Sequence, residues 1–490
     1  MQHVRGEIIK FLLVLPVESD FRGTYNVLFG LAPPLGLLYL ARVLEDDGNE
    51  VEVLDFSAEK FEPHKLLSRL PSVDVVGMTV MSTSVHKVRK MIEMIKEKDP
   101  DIPVVIGGPH CNIFPARALQ ETHADISVQG DGEKVITEIK KALNNEKSLS
   151  EIPGVFYRTK DTIKKGPPHR PIKNLDSLPF PARHLVKKYL YGRAYNPRIK
   201  KGEFTSIVTS RGCPFRCKFC SRRAVNLNLY RTRSTENILE EIRVLQSEGY
   251  KYIAIEDDSF LSNKRQAHAI FDAIIREGID MKFYITAARV DSADRDLYRK
   301  MKKAGVVSIQ FGLESASQRT LDFYNKKITV EQIKYAVKLS HEMGFLTSGT
   351  FVLGAPFETK RDFKETVKLA KSLPLEVASF LPLRYRAITE LWVEAVKEGK
   401  IAPDEYEVMA DSNRGLGLYT AKELLKYCEK AQLSFYLRPK YFVFLLKSSL
   451  EKNDFSILHM LISIYLSAIK EHINPFRLHS KKDQKRLEIR

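Results

Sequence analysis

Cys213, Cys217 and Cys220 fall within eight positions of one stretch, TSRGCPFRCKFCSRR (209–223), in a chain of 490 residues with five cysteines. Thiolates bind metals and attack electrophiles, and nearby cations favour the thiolate form. Arg211, Arg216, Lys218, Arg222 and Arg223 surround these three thiols in sequence. A closed structural zinc site wants four ligands, usually as two separated pairs. Here the spacing is Cys-x3-Cys-x2-Cys, and Cys111 and Cys428 are distant in sequence with no paired partner. Three thiolates on a tight loop can hold three corners of a cubic iron–sulfur cluster and leave a fourth iron open to a small ligand. Zinc, or a free reactive thiol cluster, is the alternative.

The elements that must position this loop form an alternating series. FTSIVTS (204–210), YKYIAIE (250–256), MKFYIT (281–286), VVSIQFG (306–312), LTSGTFVLG (346–354) and VASFL (377–381) are six candidate strands. Helical stretches separate them; Ser234–Thr235 caps one, and Gly249 and Gly305 end their helices. Six βα units over 201–400 imply a partial parallel TIM-like barrel, with chemistry at the strands' carboxyl ends. The cysteines follow the first strand, where that rule places a site.

The first 150 residues alternate likewise. Ile8–Leu15, VEVLDF (51–56), VDVVGMTV (73–80), IPVVIGG (102–108) and ADISVQG (124–130) read as five buried strands with crossover helices. This predicts an α/β, doubly wound, Rossmann-like parallel sheet whose ligands bind at the carboxyl edge. TVMSTS (79–84), GGPH (107–110) and GDGE (130–133) lie at those ends, with small residues that let a flat ligand approach the backbone. Residues 151–200 are Pro- and Lys-rich and read as an extended linker. Residues 401–490 read as a helical domain.

Composition narrows the partners. Hydrophobic content of 43% with 28% charged residues describes an ordinary globular chain, and its cysteine usage fits a reducing cytosol. A formal charge of +17 points to an anionic partner or to a solvated basic surface. EIIKFLLVLPVESD near the start reads as a buried strand rather than a signal peptide. The longest apolar run, ILHMLISIYLSAI (457–469), is too short to span a membrane and carries His459. SFYLRPKYFVFLLKSSL (434–450) and FSILHMLISIYLSAIKEH (455–472) pair apolar stripes with Lys440, Lys447, Lys470, Arg477, Lys481 and Lys482. Such helices fit peripheral contact with an anionic membrane, or a lid packed on the barrel.

The cysteine spacing, with Phe219 before the third Cys, resembles the radical S-adenosylmethionine superfamily over roughly 200–385. The resemblance implies that Cys213, Cys217 and Cys220 hold a 4Fe-4S cluster whose open iron binds the methionine end of S-adenosylmethionine. A reduced cluster then cleaves the sulfonium to a 5′-deoxyadenosyl radical, which takes hydrogen from an unactivated carbon. It further implies contacts to S-adenosylmethionine from Phe219, Asp257 in IEDDSF (255–260), Arg289 in AARVD (287–291), Glu314 in QFGLES (310–315) and Gly354 in VLGAPFET (352–359). An electron donor of ferredoxin or flavodoxin type is implied as a partner.

With the N-terminal sheet included, nearly the whole chain resembles the cobalamin-binding class of radical S-adenosylmethionine enzymes, the class B methyltransferase-like family. Thr79, Ser82, Gly107, Gly108, Gly132 and Glu133 are the positions implied to hold cobalamin, and His110 is a further candidate contact. No Asp-x-His-x-x-Gly occurs, so a histidine lower ligand is unsupported and a weakly ligated or five-coordinate cobalt is expected. A second departure is LPLRYR (381–386), where the class commonly has a Pro-Gly-Thr turn. The resemblance implies C-methylation of a lipid or other apolar metabolite. The alternatives are a cyclase or carbon–carbon bond-forming enzyme of lipid or pigment biosynthesis, and an RNA-modifying enzyme. The last is disfavoured because such enzymes carry a second cysteine triad in the N-terminal domain, which here has only Cys111; nucleic acid is therefore not the expected partner.

Overall fold

The computed structural model describes residues 8–16, 31–160, 162–459 and 461–462. It divides into two units. One contains Pro33–Leu190, the N-terminal strand and Ala224–Arg233; the other contains Tyr191–Arg223 and the chain from Ser234 onward.

In the first unit, strands β1 (Lys10–Leu15), β2 (Glu50–Asp55), β3 (Val75–Thr79), β4 (Val104–Gly107) and β5 (Ile126–Val128) are parallel. The strands inside the sheet are buried on both faces and rich in Val, Ile and Leu, whereas the edge strand β2 opens with exposed Glu50 and half-buried Glu52. One face packs Leu12, Val14, Val76 and Ile106, the other Phe11, Val75, Val105 and Ile126. The sheet order is β2-β1-β3-β4-β5-β6-β7, so chain direction across the sheet reverses between β1 and β3, the usual place for a ligand crevice.

The expected linker is corrected at its start. β6 (Val155–Arg158) and β7 (Ile163–Lys165) form an antiparallel hairpin that extends the sheet edge. Pro- and Lys-rich composition concealed a short VFYR strand and its partner.

The second unit is built on β8 (Phe204–Ile207), the two-residue β9 (Ser210–Arg211), β11 (Tyr252–Ile255), β12 (Lys282–Ala288), β13 (Val306–Glu314), β14 (Leu346–Leu353) and β15 (Val377–Pro382); the two-residue β10 (Arg231–Thr232) lies in the first unit. Six of these strands form one sheet in the order β15-β14-β13-β12-β11-β8, every neighbouring pair parallel. The six expected strands are all present, as an open sheet in chain order. Its two faces differ in chemistry. Ile253, Ile255, Phe283, Ile285, Ile309, Phe311, Phe351 and Phe380 are fully buried on one. In the registers of the other stand Ser206, Tyr284, Ser308, Gln310, Ser348, Thr350 and Ser379.

The C-terminal helices Ala421–Tyr436 and Pro439–Lys452 close the β15 edge with side chains. Tyr441 Oη donates to Glu376 O at 2.6 Å, Tyr436 Oη donates to Ala378 O at 3.0 Å and accepts from Ala378 N at 3.1 Å, and Gln432 Oε1 accepts from Phe380 N at 3.3 Å. Beneath them, buried Glu376 accepts from Thr347 N, Ser448 Oγ and Lys452 Nζ. LPLRYR leads into a small hairpin, β16 (Arg384–Arg386) with β17 (Glu407–Met409), held by Arg384–Glu407 at 2.7 Å. Of the expected helix at 455–472, the part beyond Ile462 lies outside the described residues, as do Lys470, Arg477, Lys481 and Lys482.

Candidate active site

The cysteine loop is fastened at its start by Asp257, which follows β11. This fully buried carboxylate accepts from Thr209 N (2.6 Å), Thr209 Oγ1 (2.5 Å) and Ser210 Oγ (2.5 Å). Burial raises its pKa, and these donors oppose the rise. Asp257 was expected to face S-adenosylmethionine; its acceptors are instead turned to the chain four residues before Cys213. Further on, Lys218 N donates to Tyr324 O at 3.0 Å, Asn325 Nδ2 donates to Arg216 O at 2.8 Å, and Cys220 N donates to Cys217 O at 3.1 Å. Phe219 packs edge-on against Tyr324, ring centroids 4.9 Å apart. The loop is thereby held before and after Cys213 and Cys217 and up to Cys220.

All five cysteines are free; the three loop thiols are partly exposed, whereas Cys111 and Cys428 are buried. Burial pushes the Cys111 thiol up to about 12 and Cys213 to about 11. Burial also raises Cys217, opposed by Lys326 and Arg289. Loss of the Cys213 and Cys217 protons on metal binding is the usual coupling of thiolate ligation to pH.

The cations beside Cys217 are not those of the loop. Lys218 pairs with Glu390 at 2.7 Å, and Arg222 with Asp258 at 2.9 Å. Arg289, at the end of β12, places Nη1 3.9 Å from Cys217 Sγ, with its guanidinium 3.7 Å from the Phe215 ring centroid. The same group donates to Asp291 and, at 2.7 Å, to Lys326 O. Lys326 Nζ donates to Glu314 Oε1 at 2.6 Å, both side chains almost wholly buried. Burial alone would lower the lysine; Glu314 and Cys217 together outweigh it, and the net direction is upward. Cys217, Arg289, Lys326 and Glu314 thus form one contiguous group. Lys326 and Phe215 had no sequence signal: NKK and CPF are ordinary until the fold brings them under Arg289.

At the end of β14, Gly354 N and Ala355 N both donate to buried Glu358 Oε2, at 2.8 and 2.9 Å. Gly354 has φ +107°, in the region that side-chain-bearing residues avoid, and an added Cβ would lie 2.7 Å from Leu424. Glu358, inside the quoted motif but not singled out by sequence, shapes this turn.

In the first unit, the cobalamin candidates gather at the carboxyl ends of β3, β4 and β5. Gly108 has φ +100°, and a Cβ there would stand 3.0 Å from Thr79 Cγ2; at Gly107 a Cβ meets nothing within 4 Å. Ser82 Oγ lies 3.1 Å from His110 Nδ1, and His110 Nε2 lies 3.2 Å from Glu121 Oε2. His110 is fully buried with both ring nitrogens engaged. Gly132 precedes the helix Glu133–Leu143, and Glu133 is buried in its first turn. Just before them, Asp131 accepts from both terminal nitrogens of the Arg231 guanidinium and from Ile172 N, while Asn112 Oδ1 accepts from Gly130 N and its Nδ2 donates to Val225 O.

These residues fit the implied groups. Three partly exposed thiols on one braced loop suit a cluster whose cysteine ligands sit on three different irons. Among the described residues, no group of three or more His, Cys, Asp or Glu side chains is gathered as around a single ion. The open space over Gly107 and the bare backbone of Gly108 suit a large flat ligand.

Comparison with known proteins bears on the same two regions. Residues 207–370 match the Radical SAM superfamily, and residues 23–140 match the B12 binding domain. An uncharacterized methyltransferase of Pyrococcus horikoshii is 32% identical over 94% of this chain and 100% of its own length. The chain belongs to the cobalamin-binding radical SAM family. Cytidylyl-2-hydroxyethylphosphonate methyltransferase of Streptomyces wedmorensis is 25% identical over 88% of this chain and 90% of its own. The solved structure of the cobalamin-dependent S-adenosylmethionine radical enzyme OxsB, with aqua-cobalamin and S-adenosylmethionine bound, shares the fold with a TM-score of 0.69. It covers 96% of this chain and 76% of its own, at 16% identity. As a radical SAM enzyme of methyltransferase type, the protein takes a 4Fe-4S cluster, S-adenosylmethionine and cobalamin as cofactors.

Proposed function

We propose that the protein transfers a methyl group to an unactivated carbon of a small molecule whose reacting region carries hydrogen-bonding groups. The observation that carries this is the group Cys217, Arg289, Lys326 and Glu314 at the carboxyl ends of a parallel sheet whose second face bears Ser308, Gln310, Ser348, Thr350 and Ser379. When bound, the cluster supplies the electron that cleaves S-adenosylmethionine, and cobalamin supplies a methyl group for transfer. The chain's own residues brace and charge the site. Asp257 fixes the approach to Cys213, Arg289 and Lys326 place positive charge beside Cys217, and Glu358 sets the turn at Gly354. Phe219, Glu314 and Gly354 are the contacts proposed for S-adenosylmethionine, and Thr79, Ser82, Gly107 and Gly108 those for cobalamin. A low-potential ferredoxin or flavodoxin is the proposed reductant.

Ser379 Oγ is almost fully buried on the polar face with no hydrogen-bond partner among the described residues. A buried hydroxyl in that state gains from a ligand that satisfies it. This supports a polar reacting region over the wholly apolar substrate expected at first. A second reading, a lipid substrate, is favoured by the outward apolar helix face described below.

The test uses reduced, reconstituted enzyme and S-adenosylmethionine bearing a deuterated methyl group, incubated with aqueous and lipid extracts. A three-deuterium mass increment in a water-soluble product supports the proposal, and in a lipid supports the second reading. S-adenosylmethionine cleavage with no labelled product in either extract sinks methyl transfer and leaves cyclisation.

A further inference from the structure

Pro439–Lys452 is a helix with two incompatible faces. Tyr441, Leu445, Ser448 and Ser449 are buried, and Lys452 Nζ reaches Glu376 and Phe345 O. The opposite side carries Phe442, Val443, Leu446 and Leu450 in solvent, with Val443 71% and Leu450 63% exposed. Leu437 just before the helix and Ile462 after it are about half exposed as well. These six are half of the twelve exposed large apolar side chains among the described residues, gathered within 26 positions. Contiguous exposed apolar side chains mark an interaction surface, whereas single ones need no explanation. Because Tyr441, Ser448 and Lys452 are held on Glu376, the helix cannot roll to bury the stripe without breaking those contacts.

Lys440 and Lys447 are exposed beside the stripe, on the flank of Val443, where Glu451 lies 3.7 Å from Lys447 Nζ. Beyond Ile462 the sequence adds Lys470, Arg477, Lys481, Lys482, Lys485, Arg486 and Arg490 against three acids, within a chain of net charge +17. The stripe follows one helix about 21 Å long and about 10 Å wide. That is far smaller than the roughly 800 Å² per partner of a standard protein interface. A bilayer surface needs no matching groove: an apolar helix face enters the headgroup boundary while flanking cations meet anionic lipids.

We propose that Phe442, Val443, Leu446 and Leu450 dock the protein on an anionic lipid surface, with Lys440 and Lys447 at its edge. The docking is peripheral, since among the described residues no helix is long and apolar enough to cross a membrane. It reconciles the two sequence-based expectations for these residues, because one face of the helix is a lid on the sheet and the other remains outside. The docking is independent of the methyl-transfer reading and is measured without turnover.

The test is flotation of the full chain with vesicles of phosphatidylcholine alone and of phosphatidylcholine with 30% phosphatidylglycerol, at low and high salt. Expected is flotation with the anionic vesicles only, weakened tenfold or more by salt. The double variant Val443→Glu, Leu446→Glu should lose binding by tenfold or more with an unchanged melting temperature and iron content, because both side chains already face water. Absence of flotation at low salt, or binding that the double variant leaves intact, overturns the proposal. So does a concentration-dependent dimer in sedimentation velocity that the double variant abolishes, which would make the stripe an interface between copies. If the double variant melts early, Val443→Ser replaces it as the fold-neutral probe, with the same two outcomes.

Discussion

Lys326 and Glu314 meet at 2.6 Å with less than a tenth of either residue exposed, and Lys326 is joined through its carbonyl to the Arg289 that approaches Cys217. Breaking a buried pair from one side leaves a charge without a partner, which costs about 3–5 kcal/mol. Lys326→Met should therefore lower stability by that order in thermal unfolding. A melting temperature within a degree of the parent would show that the pair is solvated in solution.

The cysteine assignment separates two classes of variant. Cys213→Ala, Cys217→Ala and Cys220→Ala should each reduce iron and sulfide from about four per chain to a small fraction and abolish S-adenosylmethionine cleavage. Cys111→Ala and Cys428→Ala remove thiols buried elsewhere and should retain the full iron count. Retained iron in a loop variant, or lost iron in Cys111→Ala with the fold intact, would refute the ligand set.

Gly107 and Gly108 are neighbours with different requirements. Gly108→Ala forces a side chain into φ +100° and should destabilise the fold by about 1–3 kcal/mol. Gly107→Val projects into open space and should leave the melting temperature nearly unchanged while weakening hydroxocobalamin uptake at least tenfold. Normal uptake by folded Gly107→Val would place cobalamin elsewhere.

Glu376 makes the C-terminal helices pH-sensitive. Burial alone would raise its pKa; His341, Lys452 and Ser448 outweigh burial and hold it below the ordinary 4.5. A carboxylate whose folded pKa is depressed contributes stability that is complete above its unfolded pKa and is lost as pH falls through the folded value. The stability gap between the parent and Glu376→Gln should thus be constant from pH 8 to pH 6 and narrow below about 4.5. A gap independent of pH down to 4 would show that the folded and unfolded states hold the Glu376 proton equally, and a gap that narrows as pH rises from 5 would show that Glu376 is protonated in the folded state.

The cysteine triad and all six strands of the second sheet were legible because each is a local pattern: a spacing of three and two, and β-branched runs punctuated by Gly. The parallel sheet of the first unit was legible for the same reason. The rest depended on tertiary placement. Arg222 and Lys218 sit beside the cysteines in sequence yet turn to Asp258 and Glu390, while Arg289 and Lys326, 72 and 109 residues from Cys217, supply the nearby charge. Asp257 carries no sign in its own motif that its acceptors face backward onto Thr209 and Ser210. VFYR was hidden by the prolines and lysines that follow it.

Ala378 and Phe380, two residues apart on β15, turn backbone groups outward to Tyr436 and Gln432, and Tyr441 takes the carbonyl of Glu376 just before the strand. An outer strand with vacant peptide groups is a template on which another chain can crystallise into a ladder. Tyr436, Gln432 and Tyr441 therefore act as a built-in solubility device. Cutting the chain before Ala421 would expose a ready seed for strand-by-strand stacking, so the shortened protein is expected to precipitate as ordered fibrillar material rather than persist as a trimmed enzyme.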